Sequence, residues 1–243
     1  GFSIGTSYEQ LKDLYFSPSV SSYYESIDTS SAASAQKKKQ AGDFTELIFN
    51  YGIDRDKRDR SFMPSSGNII SFQQGIPIFA DQAALFNRLS YSQYHGFSEN
   101  VIGAVKFYGA TITALDDDVR LSKRLHIPSK RLRGFERRKV GPKDGADYVG
   151  GNYATALNLE AALPNLLPEG TQTDIAAFLD LGNVWHTDYD STVAQSSKLR
   201  SSIGFATNMY TPIGPLNFVF AQKLTSAPSD ITQTFKFEIG TSF

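Results

Sequence analysis

The stretch KRLRGFERRKVGPKDG, residues 130–145, carries the densest chemistry in the chain. Between Lys123 and Lys143 there are nine Lys or Arg and a single acid, Glu136. Such groups bind carboxylates or phosphates, and a guanidinium taken out of bulk water requires carboxylate partners. Read alone, the run is a solvated basic loop. The other candidate chemistries are thinner. Asp54, Asp56 and Asp59 alternate with Arg55, Arg58 and Arg60; the interleaved cations would repel calcium and no glycine stands where a calcium loop must turn, so these residues read as charge pairs at a turn. His95, His126 and His186 lack ligand spacing, and no metal is expected. His186 with Asp188 has no nucleophile elbow behind it. Cysteine is absent, which removes thiolate nucleophiles, thiolate metal sites and disulfides together. No catalytic residue and no cofactor are expected.

The elements that must position the basic run are strands. Aromatic residues make up 13% of the chain, with 18 Phe and 12 Tyr against one Trp, the vocabulary of β-structure. No apolar run approaches the roughly 20 residues of a membrane-spanning helix. At the end of the chain Phe235, Phe237, Ile239 and Phe243 alternate with Lys236, Glu238, Gly240 and Ser242. The same period recurs at 173–182, where Ile175, Leu179 and Leu181 oppose Asp174 and Asp180, and at 152–160, where Leu157 and Leu159 oppose Asn158 and Glu160. Further strands are predicted at 1–9, 43–55, 67–77, 82–95, 99–110, 200–209, 214–226 and 231–243. That makes about ten, many of them long enough to cross a bilayer when tilted. The segments between them alternate too. Long polar loops are predicted at about 10–42, 113–147 and 187–198, and short turns at the opposite ends, which is the habit of outer-membrane barrels; the short GIPIFADQ connection breaks the rule. A net charge of −1 argues against nucleic acid as a partner.

With these strands in place, an ordered set of motifs resembles the C-terminal barrel of the bacterial surface-antigen (BamA) family of outer-membrane assembly factors. The set is YGIDRDKRDRSFMPSSG, RLRGF, VGGN, FLDLGNVW, PIGPLNFVFA and a terminal Phe, and it runs from about residue 1 to 243. The resemblance implies an all-β protein, an antiparallel transmembrane β-barrel, of which residues 1–243 supply about the last ten of sixteen strands. Gly1 then reads as an internal boundary in a longer protein. In that family the RGF element lies at the tip of a long loop folded into the barrel lumen. The resemblance therefore places Arg133, Gly134 and Phe135 there, with Leu132 where the family usually has Val. It also implies that acids at the positions of Glu160 and Asp180 receive Arg133 and lock the loop to the wall. Arg137, Arg138 and Lys139 would either line a polar lumen or meet lipopolysaccharide phosphates.

The function implied is folding and insertion of β-barrel proteins in the bacterial outer membrane, by strand exchange at a seam bounded by the last strand. Phe235, Phe237, Ile239, Gly240 and Phe243 belong to that strand; Gly240 would weaken pairing locally, and Phe243 resembles the terminal signal of client proteins. The implied partners are unfolded outer-membrane proteins, accessory assembly lipoproteins, and outer-membrane lipid with its lipopolysaccharide. Three other readings share the barrel: a transporter for a dedicated protein, the anchor of an upstream patatin-like lipase, and a passive porin, which the long basic loop argues against.

Overall fold

A computed structural model of the chain describes residues 1–239 except 62, 117, 168–172, 189–192, 194, 195, 212 and 213. Twelve strands form one antiparallel sheet. In chain order they are β1 Phe2–Gly5, β2 Tyr8–Leu11, β3 Leu14–Ile27, β4 Gly42–Asp56, β5 Gly67–Ala80, β6 Ala84–Ser98, β7 Val101–Ala114, β10 Tyr153–Ala162, β11 Thr173–Trp185, β12 Arg200–Thr211, β13 Gly214–Thr225 and β14 Phe235–Ile239. A small hairpin, β8 Lys143–Asp144 and β9 Asp147–Tyr148, lies in the loop between β7 and β10. Each wall strand pairs with its sequence neighbour, while β1 and β2 lie end to end along β3. The sheet is therefore a partial barrel that does not close, with β1 and β14 at its two edges. No helix among the described residues is long and apolar enough to cross a membrane.

Counting β1 and β2 as one interrupted strand, the wall has eleven strands, one more than the alternation of apolar residues predicts. The addition is β3, which occupies residues 14–27 within the stretch 10–42 expected to be a loop. Its row of serines misleads because serine is a turn residue. In the sheet those hydroxyls pair across strands: Ser21 with Ser3, Ser17 with Ser7, and Ser21 again with the Asn50 amide. The loop that remains is 28–41, containing the single-turn helix α1 Ala35–Lys39 capped by the Ser34 side chain.

Alternation gives the wall two faces with different solvents. Phe107, Leu157, Ile203, Phe205, Phe220, Phe235 and Ile239 point outward and are exposed, as a lipid-facing band requires. On the inner face Tyr108, Ala110, Ile112, Ala154, Ala156 and Val184 are buried, and what buries them is the β7–β10 loop. Val119, Leu125, Ile127, Leu132, Phe135 and Val140 of that loop form one cluster with them. Charged residues therefore bracket a segment whose apolar side chains dock on the wall, and the loop is a folded element inside the barrel.

Candidate functional site

Antiparallel register sets up the receptor for the loop tip. Asn158 of β10 stands opposite Asp180 of β11, and Glu160 stands opposite Phe178. With a side-chain period of two, all four point into the lumen, and Glu160 and Asp180 occupy diagonal positions that one long side chain can span. Arg133 spans them. Its Nε donates to Asp180 Oδ2 at 2.8 Å and its Nη2 to Asp180 Oδ1 at 2.7 Å, a bidentate fork, while Nη2 also reaches Glu160 Oε1 at 2.8 Å. The backbone N–H of Arg133 adds a bond to Asp180 Oδ2 at 3.0 Å. The guanidinium carbon lies 3.6 Å from the centroid of the Phe178 ring, covering the face left free by the hydrogen bonds.

Burial makes this network strict. The Asp180 side chain is 0% exposed, Arg133 9% and Glu160 14%. Charges this deep require complete partnering. Lys106 on the inner face of β7 forms an ion pair with the other Glu160 oxygen, so two acids meet two cations. Asn158 Nδ2 donates to Asp180 Oδ1 at 2.7 Å and to the Arg131 carbonyl at 2.9 Å, tying wall and loop backbone together. Lys106, Asn158 and Phe178 were not singled out from the sequence. Lys106 carried a readable signal: it is the lone charge within the apolar strand VIGAVKFYGATITA, on the inward parity.

Gly134 makes the tip possible. Its φ is +85°, and an added Cβ would lie 3.0 Å from Ala221 Cβ and 3.2 Å from Ser202 Cβ, so the backbone turns left-handed where it presses on β12 and β13. The Ser202 hydroxyl donates to the Arg133 carbonyl. Phe135 is 4% exposed within the lumenal cluster. Arg137 and Arg138 line a lumenal cavity of about 600 Å3, and the Lys139 ammonium sits over the Tyr148 ring.

Further ion pairs fix the loop along its length. Arg120 reaches Glu46 at 3.0 Å and Glu25 at 3.6 Å, and Lys123 also pairs with Glu46. Arg124 donates to Asn152 and to Asp188, whose carboxyl accepts from Val119 N–H and Asn152 as well. Burial alone would raise the Asp188 carboxyl, but those donors outweigh it and hold it below the usual carboxylate range. Asp188 thus belongs to a structural network, which His186 joins through its carbonyl, an acceptor from the Asn152 N–H at 2.7 Å. At the turn 57–66, Arg58 forks onto Asp56, and Asp59 accepts from the Ser65 hydroxyl and the Ser65 and Ser66 N–H groups. No cluster of three His, Cys, Asp or Glu suited to a metal ion occurs among the described residues.

The terminal strand differs from the predicted 231–243. Phe235, Phe237 and Ile239 lie on β14, but the strand starts at Phe235 because Ile231–Gln233 hydrogen-bond to the loop tip instead of to β13. Gly240 and Phe243 lie outside the described residues.

Residues 1–243 match the Omp85 superfamily domain. Among curated proteins, "Outer membrane protein assembly factor BamA" of Neisseria meningitidis is 28% identical over 139 residues, 46% of this chain and 17% of that protein. The protein of the same title from Neorickettsia risticii is 31% identical over 115 residues, 46% of this chain and 16% of the relative. A SAM50-like protein of Schizosaccharomyces pombe is 28% identical over 142 residues, 54% of this chain and 30% of the relative. Among solved structures, BamA from Haemophilus ducreyi lacking POTRA domains 1–3 superimposes with a TM-score of 0.86 at 17% identity, over 97% of this chain and 52% of that one. The matched stretches thus cover less than a third of the curated relatives and about half of that solved chain.

Proposed function

Because the chain belongs to the Omp85 superfamily, we propose that it forms the C-terminal part of a barrel that folds and inserts other β-barrel proteins into the bacterial outer membrane, where this protein resides. The reaction is pairing of backbones, with no covalent step. A client strand adds to the free edge of β14, is held by main-chain hydrogen bonds, and is exchanged for the next strand as the client grows. The observation that carries this reading is how late the terminal strand joins the wall: Ile231–Gln233 bond to the loop tip, and β14 pairs with β13 only from Phe235 onward, so its start is held by the loop and not by the sheet. In hydrocarbon a strand edge without a partner is costly because its N–H and C=O groups have no water to bond, so a terminal strand that parts from its neighbour takes up another strand in its place.

Unfolded outer-membrane proteins are the partners this edge would take, with accessory lipoproteins and lipopolysaccharide acting outside the seam. The loop lock at Arg133 would keep the lumen side of the seam ordered while strands are exchanged. A photo-crosslinking residue in place of Phe237, in the full-length protein in cells, tests the reading. Adducts with several different nascent outer-membrane barrels are expected there and not at Leu157, on the lipid face of β10. Equal capture at both positions, or none at either, would contradict it.

A further inference from the structure

The segment between β13 and β14 has two possible partners for the same backbone groups. As the chain leaves β13 it is anchored by Asp230, whose carboxylate takes a fork from Arg200 Nε and Nη2 at 2.9 and 3.0 Å, both side chains being 0% exposed. Ile231–Gln233 then runs antiparallel to the loop tip. Gln233 N–H donates to the Gly134 carbonyl and Glu136 N–H to the Ile231 carbonyl, each at 2.9 Å, around a bridge between Phe135 and Thr232. Ile231 N–H donates to the Lys139 carbonyl at 3.1 Å. Only at Thr234, whose carbonyl accepts from Ala221 N–H at 2.8 Å, does the chain rejoin β13.

The register of β13 with β14 shows where this segment would go if the tip let go. Phe220 faces Phe235, so extending the ladder upward sets Ala221 against Thr234, Gln222 against Gln233, Lys223 against Thr232 and Leu224 against Ile231. Side-chain parity suits that extension. Leu224 and Ile231, both exposed, would meet on the outer face next to paired glutamines, while Lys223 and Thr232 would face the lumen. Both arrangements satisfy the segment's backbone, which is the requirement for a two-state element. What selects the observed state is the tip: Phe135 in its buried cluster and Arg133 in its carboxylate network hold the strand to which Ile231–Gln233 is paired.

We propose that Ile231–Gln233 is a switch segment that exchanges pairing between the loop tip at Gly134–Glu136 and the upper half of β13, so that the Arg133 lock sets the length of the terminal strand. Latched, β14 joins β13 late and is held near its start; unlatched, it gains up to three residues of ladder. Its use in assembly rests on the reading that β14 bounds a working seam, but the switch itself does not.

Competitive disulfide trapping separates the two. The described chain has no cysteine, so Ile231→Cys can be offered Glu136→Cys and Leu224→Cys together in the full-length protein in membranes. With Arg133 present, the 136–231 product is expected to dominate. Arg133→Ala, and independently Gly134→Ala, whose new Cβ meets Ala221, are expected to reverse the ratio in favour of 224–231. An unchanged ratio in both variants, each verified as folded by heat-modifiable mobility, would overturn the switch. If neither variant folds, trapping 224–231 in the otherwise native protein is expected to make Phe135→Cys accessible to a bulky thiol reagent, and continued protection would overturn the switch equally. A reversed ratio with undisturbed folding of other barrels would leave the switch standing and remove its assembly role.

Discussion

At the scale of single residues, Arg133 is the most constrained group in the site. Truncating it leaves Asp180, fully buried, without its fork, and removing one partner of a buried pair costs about 3–5 kcal/mol. Arg133→Ala is therefore expected to lower stability by about that amount, and Asp180→Ala by a similar one. Because both act on one network, the double variant should lose markedly less than the sum, with a coupling of about 1–3 kcal/mol. Urea unfolding of the full-length protein in lipid vesicles measures all three; additive losses would show that the two side chains do not share a network. Arg133→Lys should fall between native and Arg133→Ala, since an ammonium cannot fork. Part of this was readable from order and parity. Glu160 and Asp180 are acids on the polar faces of predicted strands, and Arg133 lies in the longest basic run of the chain. That the three meet was not readable from spacing, because the loop crosses 27 residues to Glu160 and 47 to Asp180. Phe178 as the platform beneath the guanidinium was hidden for another reason: an inward aromatic looks like ordinary core.

At the scale of elements, the turn 57–66 shows charge used to close a hairpin. Hydrogen bonds from the Ser65 hydroxyl and then the Ser66 and Ser65 N–H groups hold the Asp59 carboxyl down to about 2 from an ordinary 3.8. A carboxyl whose folded value is depressed stabilises fully above its unfolded value and loses that contribution as pH falls through the folded one. Protection of the Ser65 and Ser66 amides against hydrogen exchange is therefore expected to be intact at pH 5 and to fall between about pH 4 and 2, and to be weak at every pH in Asp59→Ala. Protection that persists unchanged to pH 2, or survives Asp59→Ala, would contradict the role of Asp59. The strands themselves were legible wherever apolar side chains alternate with polar ones. β3 was not, since its lumenal serines look like loop until the partner hydroxyls and Asn50 are beside them. The late start of β14 escaped for the converse reason: residues 231–233 alternate well enough for a strand, but the loop tip takes their hydrogen bonds first.

At the scale of the whole molecule, one loop organises the barrel. It fills the inner face with an apolar cluster, pins itself to β4, β10, β11 and β12 through charged or hydroxyl groups, and pairs with the segment leading into the edge strand. The long loop predicted at 113–147 falls between β7 and β10, whereas that at 10–42 holds β3; but a reading of charge alone puts the β7–β10 loop in solvent. Its apolar residues, spaced irregularly because they fit a curved wall, carry no period to betray them. The terminal strand β14 joins the wall only past the loop tip, and its far edge is where strands of other barrels are proposed to pair. Depletion of the full-length protein in its native cell, followed by measurement of the folded amounts of several unrelated outer-membrane barrels, tests that assignment most directly. All of them are expected to fall together, with the native protein restoring them and the Arg133→Ala variant restoring them less well; steady levels of the unrelated barrels with loss of a single exported protein would contradict that assignment.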